Sequence, residues 1–524
     1  MRMRRLLVFV SILATMGLPA VVPAASAAGS PTAPAAGSAA SSNFQLVGHD
    51  PLFNRGMNSA LAIYGNYLYV GNRTDSSDEC VPAAGVPDPS VTGCPHPHPG
   101  VLVVNIADPA NPHVVGEIGP PFEGNVRETS RELRVWPQQR LLIVQNMRCS
   151  NFYHACPPPP PTPAPHFSFY DIGGANAAHP RLVSTYYPDI HNLKDPRPHE
   201  FFLWVDPNNP NRALMYWTTY SNDNGSLPNI IVTDISRARQ GVFKEVARIN
   251  VVHLYSSFDR KNYYVAVHSM TVSPDGTRAY VAVWGGTFIE LDTTDLAKGV
   301  ANPNVPVISP IADRPFWPNP NAHSAVKIPG RPYVIMTDEL YGNYDRVNDA
   351  PLNRSGCPWG WMHVIGISNE LHPTLVSEYR TPQNQDAYCQ TPAGMDPANT
   401  TYTSYSTHNL TVLPDVAIVA WHSNGLRAVD ITDPAHPASA GSFLPQPLSS
   451  VATEDPALSR GTNKVVVWSY PIIYKGLIYV IDIRNGLYVL RYTGPHADQV
   501  SDVTFLEGNS NLGDAVRLES NGAR

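Results

Sequence analysis

Charge is scarce in this chain of 524 residues: Asp, Glu, Lys and Arg make up only 15% of it, with 43 acids against 36 bases. The formal charge is -7, and loss of Arg2, Arg4 and Arg5 with a cleaved leader would take it to -10 (three positive charges fewer). A nucleic-acid partner is therefore not expected, because phosphate backbones are met by clustered basic residues. Long apolar runs are missing beyond the first 25 residues or so, and no integral membrane span is expected. Helical periodicity is missing as well. So are the Gly-Lys-Ser/Thr phosphate loop, the Gly-x-Ser-x-Gly elbow and the His-Glu-x-x-His helix. A calcium reading of Ser221-Asn-Asp-Asn-Gly225 fails because the full twelve-residue loop pattern is absent.

Proline, glycine and tyrosine are plentiful, at 53, 36 and 25 residues, which marks a chain rich in turns and strands. Met1-Arg-Met-Arg-Arg5 followed by Leu6–Val10 and ending at Ala25-Ser-Ala27 reads as a secretory signal peptide over 1–27. Residues 28–42 read as a disordered leader. The expected localisation is secreted or extracytoplasmic, and no lipidation cysteine follows the signal. Six cysteines suit that oxidising compartment. Nearest-neighbour pairing would join Cys80 to Cys94, Cys149 to Cys156 and Cys357 to Cys389, although six cysteines allow 15 connectivities.

The most informative pattern is a repeat. His199, His268, His323 and His408 each open an extended stretch, followed in three cases by a tight turn such as Ser273-Pro-Asp-Gly276 and then by a second apolar strand. First strands begin near Asn58, Arg131, His199, His268, His323, His408 and Trp468, about 65 residues apart, longer than the roughly 40–50 of common propeller units. Third and fourth strands are joined by Asp108-Pro-Ala-Asn-Pro112 and again by Asp433-Pro-Ala-His-Pro437. The last unit lacks a fourth strand, and Phe44-Gln-Leu-Val-Gly48 resembles Pro112-His-Val-Val-Gly116. The expected fold is all-β: a single closed seven-bladed β-propeller of four-stranded blades over 43–494, its last blade completed by the N-terminal strand. Residues 495–524 read as a C-terminal tail. Long insertions fall after second and fourth strands, on one face of the ring, and the histidines open onto that face.

The segments Gly100–Pro112 and Gly425–Pro437 resemble LVIVD-type propeller repeats, which implies an extracytoplasmic propeller and no particular reaction. Trp421–Pro434 is also similar to a segment of the selenium-binding protein/methanethiol oxidase family, which implies a histidine-rich site and a metal. That family's cysteine signature is absent, which puts its chemistry in doubt here. Carotenoid-cleaving oxygenases are similar in architecture only, with four histidines from separate blades on one iron.

First strands line a propeller's channel, so the four histidines would ring its mouth. Neutral imidazole suits Fe, Cu and Zn, and His199, His268, His323 and His408 are the expected metal ligands. Arg131 at the same register would orient an anionic substrate group, and Glu128, Glu132 and Glu200 are candidate acceptors for ligand N–H groups. The plainer reading of such a histidine is a hydrogen bond to neighbouring backbone. His422 reads as a surface residue before it reads as a second-layer ligand. His96 and His98 read as a solvated loop, and Trp317, Trp359, Trp361, Tyr341 and Tyr344 as packing before a sugar-stacking rim. Two functions remain open: a metal-dependent oxidoreductase acting on a small molecule, and a non-catalytic propeller binding an extracellular protein or glycan through its loop face. No feature signals an oligomer, and a monomer is expected.

Overall fold

Strands such as Val101–Asn105, Leu141–Arg148 and Val416–Ala420 are nearly continuous apolar runs. Such runs suit strands covered on both faces. The computed structural model describes residues 40–74, 96–124, 128–148, 165–188, 198–219, 228–318, 320–340, 344–345, 350–351, 357–395, 404–455, 458–459 and 464–521. The expected signal peptide, Cys80, Cys94, Cys149, Cys156, Pro157–Pro161 and the Ser221–Gly225 loop lie outside these residues. The described strands belong to one unit, Ser38–Arg524.

The unit is all-β, built of antiparallel meanders of the kind that make propeller-type folds. The first meander is Asn58–Tyr64, Tyr67–Asn72, Val101–Asn105 and His113–Ile118. The second is Glu128–Trp136, Leu141–Arg148, His166–Asp171 and Arg181–Tyr186, tied to the first by one residue pair, Asn72 with Ser130. The third runs from Phe201–Val205 to Val242–Ile249, the fourth from Ala266–Val272 to Thr287–Asp292, and the fifth from Ala322–Lys327 to Thr374–Tyr379. The sixth runs from Leu410–Val412 to Ala438–Leu444, with Ala40–Ser42 added at its outer edge. In the last, Ile472–Tyr474, Leu477–Asp482 and Gly486–Tyr492 are joined by the N-terminal strand Phe44–Asp50, which pairs antiparallel with Gly486–Tyr492.

Apolar cores fill the spaces between successive meanders. Trp136 and Phe167 of the second pack with Leu203 and Trp217 of the third, and Trp204 and Tyr216 of the third pack with Val267 and Val281 of the fourth. A further core joins Tyr479 and Val489 of the last meander to Leu61 and Val104 of the first.

The residues after Gly494, expected as a tail, are built into the unit. Phe505–Leu506 pairs with Ile473 and Tyr474, and Ser510 bridges to Leu203. Leu203 N donates to the Asn509 carbonyl at 3.2 Å. Asn511 accepts from Val205 N and donates to Val205 O, both at 2.8 Å. These contacts seat the segment against the inner first strand of the third meander. The sequence did not signal this because the segment matches no repeat unit and its partners on the third meander lie some three hundred residues upstream.

Candidate metal centre

The first strands share a local irregularity that aims the site. In the second, fourth and fifth meanders the pairing register slips between Ser130 and Glu132, Val267 and Ser269, and Ala322 and Ser324. The residues at those bulges are Arg131, His268 and His323. A bulge sets two residues against one and re-aims the extra side chain. The same two-against-one pattern holds His199 and His408: His199 N donates to Thr218 O while Thr218 N donates to Glu200 O, and His408 N donates to Ala420 O while Ala420 N donates to Asn409 O. Hydroxyls of the preceding meander then clamp these residues by their carbonyls. Thr218 Oγ1 donates to His268 O at 2.8 Å, Thr337 Oγ1 to His408 O at 2.6 Å and Ser59 Oγ to Arg131 O at 2.9 Å. Ser269 Oγ does the same for His323 O.

The structure brings the four expected histidines together. His199 and His268 meet through their Nε2 atoms at 2.9 Å. The His268 and His323 rings are 3.9 Å apart, as are those of His323 and His408. His268, His323 and His408 are buried and His199 is half-buried, so the arc has its accessible end at His199. Two carboxylates stand among the rings. Glu200 Oε1 is 3.6 Å from His323 Nε2 and 3.9 Å from His268 Nδ1. Glu339 places Oε1 3.3 Å from His408 Nε2 and Oε2 3.7 Å from His323 Nε2. Donors bound to one ion at about 2.0–2.2 Å are separated by about 3–4 Å, and these spacings fit. The donor atoms form two overlapping sets, Glu200/His268/His323 and His323/Glu339/His408, each within 4.8 Å.

The imidazoles are oriented for ligation. His323 Nδ1 lies 2.8 Å from Ser324 Oγ, and His408 Nδ1 donates to Trp468 O at 2.6 Å. Holding Nδ1 turns Nε2 and its lone pair toward the carboxylates. Burial, reinforced by His323 and His422, holds His408 well below the usual imidazole range. Burial, Glu132 and Glu339 push Glu200 well above the usual carboxyl range, against Arg134 and Arg131. His408 is therefore neutral, the form that binds metals, and a cation would supply the charge that the buried carboxylates need. Tyr470 lies beneath, its hydroxyl 3.5 Å from Glu200 Oε2 and 3.4 Å from Ser324 Oγ.

Sequence reasoning missed Glu339 and misjudged His422. Glu339 follows the second strand of the fifth meander. Its neighbour Asp338 fixes it, accepting from Trp317 Nε1 at 2.8 Å, from His363 Nε2 at 2.9 Å and, through its carbonyl, from Ser406 and Thr407. His422 is not on the surface. It is fully buried, with its ring 5.0 Å from that of His408, Nε2 3.5 Å from Glu339 Oε1 and Nδ1 3.0 Å from Ser404 Oγ. Burial pushes its imidazole down to about 3. Counted from the histidine bulges, His422 stands in the slot that Glu339 fills in the fifth meander and Trp284 in the fourth.

Of the three acceptors expected, Glu200 reaches the histidines, whereas Glu132 pairs with Arg134 at 3.1 Å and Glu128 with His166 at 3.3 Å. Arg131 is buried, with its guanidinium over the Trp468 indole at 5.7 Å, and that indole lies tilted against the His408 ring, 4.6 Å between centroids. His96 is buried, which corrects the solvated reading, and the more exposed His98 pairs with Glu117 at 2.9 Å. Trp317, Trp359 and Trp361 are buried packing residues, and the side chains of Tyr341 and Tyr344 lie outside the described residues. Cys357 and Cys389 form a disulfide, with Cα atoms 5.7 Å apart.

The family model for the LVIVD repeat matches residues 55–76 and 406–444, which are the opening of the first meander and nearly all of the sixth. The second match contains His408 and His422. No curated protein matches the chain, and the likeness to the selenium-binding protein/methanethiol oxidase family stays confined to Trp421–Pro434. Solved structures similar to the chain include a protein from Lactobacillus plantarum, at 13% identity over 74% of this chain and 88% of that one, with a TM-score of 0.42. Sqt1 from Chaetomium thermophilum is similar at 11% identity over 84% and 86%, also with a TM-score of 0.42. A chain of the mitotic checkpoint complex is similar at 8% identity over 89% and 99%, with the same TM-score.

Proposed function

We propose that this chain is a secreted, closed seven-bladed β-propeller that holds a transition metal in the histidine cage of its channel and acts as a metal-dependent oxidoreductase on a small molecule. Apolar cores between each meander and the next, including last with first, support the closed ring. The Cys357–Cys389 disulfide supports an oxidising compartment. One observation carries the metal reading: repeat-equivalent histidines from separate meanders converge, rings 3.9–4.4 Å apart, around Glu200 and Glu339.

His199, His268, His323 and His408 would hold the metal, with Glu200 and Glu339 balancing its charge. Copper or iron bound there would supply one-electron chemistry, and zinc would supply only polarisation. Substrate would approach from the side of His199, which is half-buried where His268, His323 and His408 are buried. Arg131, held on Trp468, would meet an anionic group of the substrate.

Elemental analysis of the mature protein, purified without a histidine tag, tests this beside a His268→Ala/His323→Ala variant. At least one equivalent of Fe, Cu or Zn in the parent, lost in a folded variant, is expected. No metal after reconstitution with all three would overturn the reading and favour a binding propeller that engages a protein or glycan through its loops.

A further inference from the structure

We propose that the cage holds two metal ions side by side. One lies between His199 and His268, the other between His408 and His422, and His323, Glu200 and Glu339 stand between them. The inference rests on the metal reading above and adds a second position, with a ligand outside the histidine repeat.

Donor number is the first argument. Five imidazoles and two carboxylates gather here. A zinc-like ion takes four donors and an octahedral one takes six, so seven exceed what one ion uses. Reach is the second. Ligand atoms of a single ion lie at most about 4.2 Å apart, twice the metal–nitrogen distance. The donors fall into two sets and not one, Glu200/His268/His323 and His323/Glu339/His408, and the rings run on to His199 at one end and His422 at the other, 4.4 and 5.0 Å from their neighbours. At one end the Nε2 atoms of His199 and His268 are 2.9 Å apart. At the other, the Nε2 atoms of His408 and His422 lie 3.3 and 3.5 Å from the same oxygen, Glu339 Oε1. Glu339 turns its second oxygen toward His323, 3.7 Å away. A carboxylate so divided suits a bridge between ions about 3.5–4 Å apart, the spacing of two-metal sites.

The backbone of His422 is the third argument. Its φ is 27°, in the region that costs a residue with a Cβ roughly 1–2 kcal/mol. Counted from the histidine bulges, the same slot holds Trp284 in the fourth meander and Glu339 in the fifth, and neither of these has a positive φ. Glycine would fill position 422 without strain. The fold instead carries a fully buried imidazole there, tethered by Ser404 and facing Glu339. Strain of this kind collects where a side chain is needed for function.

The test is copper loading of the chelator-stripped full chain, read by elemental analysis after desalting and by electron paramagnetic resonance. Two equivalents of Cu2+ are expected in the parent, with a spin integral well below the copper content because adjacent ions couple. His199→Ala/His268→Ala and His408→Ala/His422→Ala should each hold one equivalent and show a full, uncoupled spin. His422→Gly, which suits the backbone, keeps the test decisive if an alanine pair fails to fold: it too should fall from two equivalents to one. One equivalent in the parent, two uncoupled spins, or loss of both ions on removing either pair would overturn the two-ion proposal and leave a single-metal site standing. No bound copper, iron or zinc would remove the metal reading itself.

Discussion

His199 and His268 face each other nitrogen to nitrogen, Nε2 to Nε2 at 2.9 Å. One proton satisfies both rings in that geometry. Two imidazoliums would repel, and two bare lone pairs would as well. A metal ion bound at these nitrogens leaves that proton on the far nitrogen of its own ring, so the neutral imidazoles release none. Metal uptake at pH 7 should instead release the proton of Glu200, whose carboxyl burial pushes well above its usual range, and retention should weaken as pH falls and that proton returns. Titration calorimetry in two buffers of different ionisation enthalpy measures the release. Uptake with no proton release would contradict a protonated Glu200.

Glu290 gives a pH dependence unrelated to the metal. Its side chain is buried 3.8 Å from Arg278, and burial with help from Glu370 pushes its carboxyl up to about 8, against the pull of Arg278 and Lys327. The folded carboxyl stays protonated while the unfolded one ionises near 4.5. Stability therefore falls as pH rises through that window. Glu290→Gln should leave stability unchanged near pH 4 and raise it by roughly 1–3 kcal/mol near pH 8. Urea melts at the two pH values decide it, and an equal effect at both would refute the assignment.

Gly508 sits where the C-terminal segment passes under the cage. A Cβ there would run into the Leu410 carbonyl and come within 2.9 Å of the Tyr470 ring. Gly508→Ala should cost about 1–3 kcal/mol in a urea melt. It should also weaken metal retention, because Tyr470 lies under Glu200 and Ser324. Unchanged retention in a destabilised variant would separate the floor from the cage.

Removing the disulfide with Cys357→Ser/Cys389→Ser should lower stability by about 3–4 kcal/mol for a loop closed across 32 residues. The loop carries Asn384, which accepts from the indole N–H of Trp421 at 3.1 Å, next to His422. The variant should therefore lose metal more readily as well as melt earlier, which a competition with chelator would read.

Much of this arrangement is legible in the sequence, for a reason that also sets its limit. His268 and His323 are visible because each occupies one register of a repeated strand, and the bulge that aims them is a property of that register. The N-terminal strand is visible because Phe44–Gly48 resembles a fourth strand found elsewhere in the chain. Glu339 is invisible because no other meander carries a carboxylate in its slot that could mark it by repetition. His422 is hidden for the same reason: it shares that slot, and its counterparts, Trp284 and Glu339, are different residue types. Asn509 and Asn511 match nothing, and only folding brings them to Leu203 and Val205.

The floor under the cage has a kinetic consequence. Asn511 closes on Val205 across 306 residues, and Asn58 on Ile483 across 425. Contacts so distant along the chain are the slow ones, since the entropy of closing the intervening loop is lost before the contact rewards it. Each histidine can adopt its bulge within its own hairpin, but the cage they make together has no base until the far end of the chain returns. Metal uptake followed during refolding would then act as a clock for the final step of folding, lagging behind the appearance of strand signal.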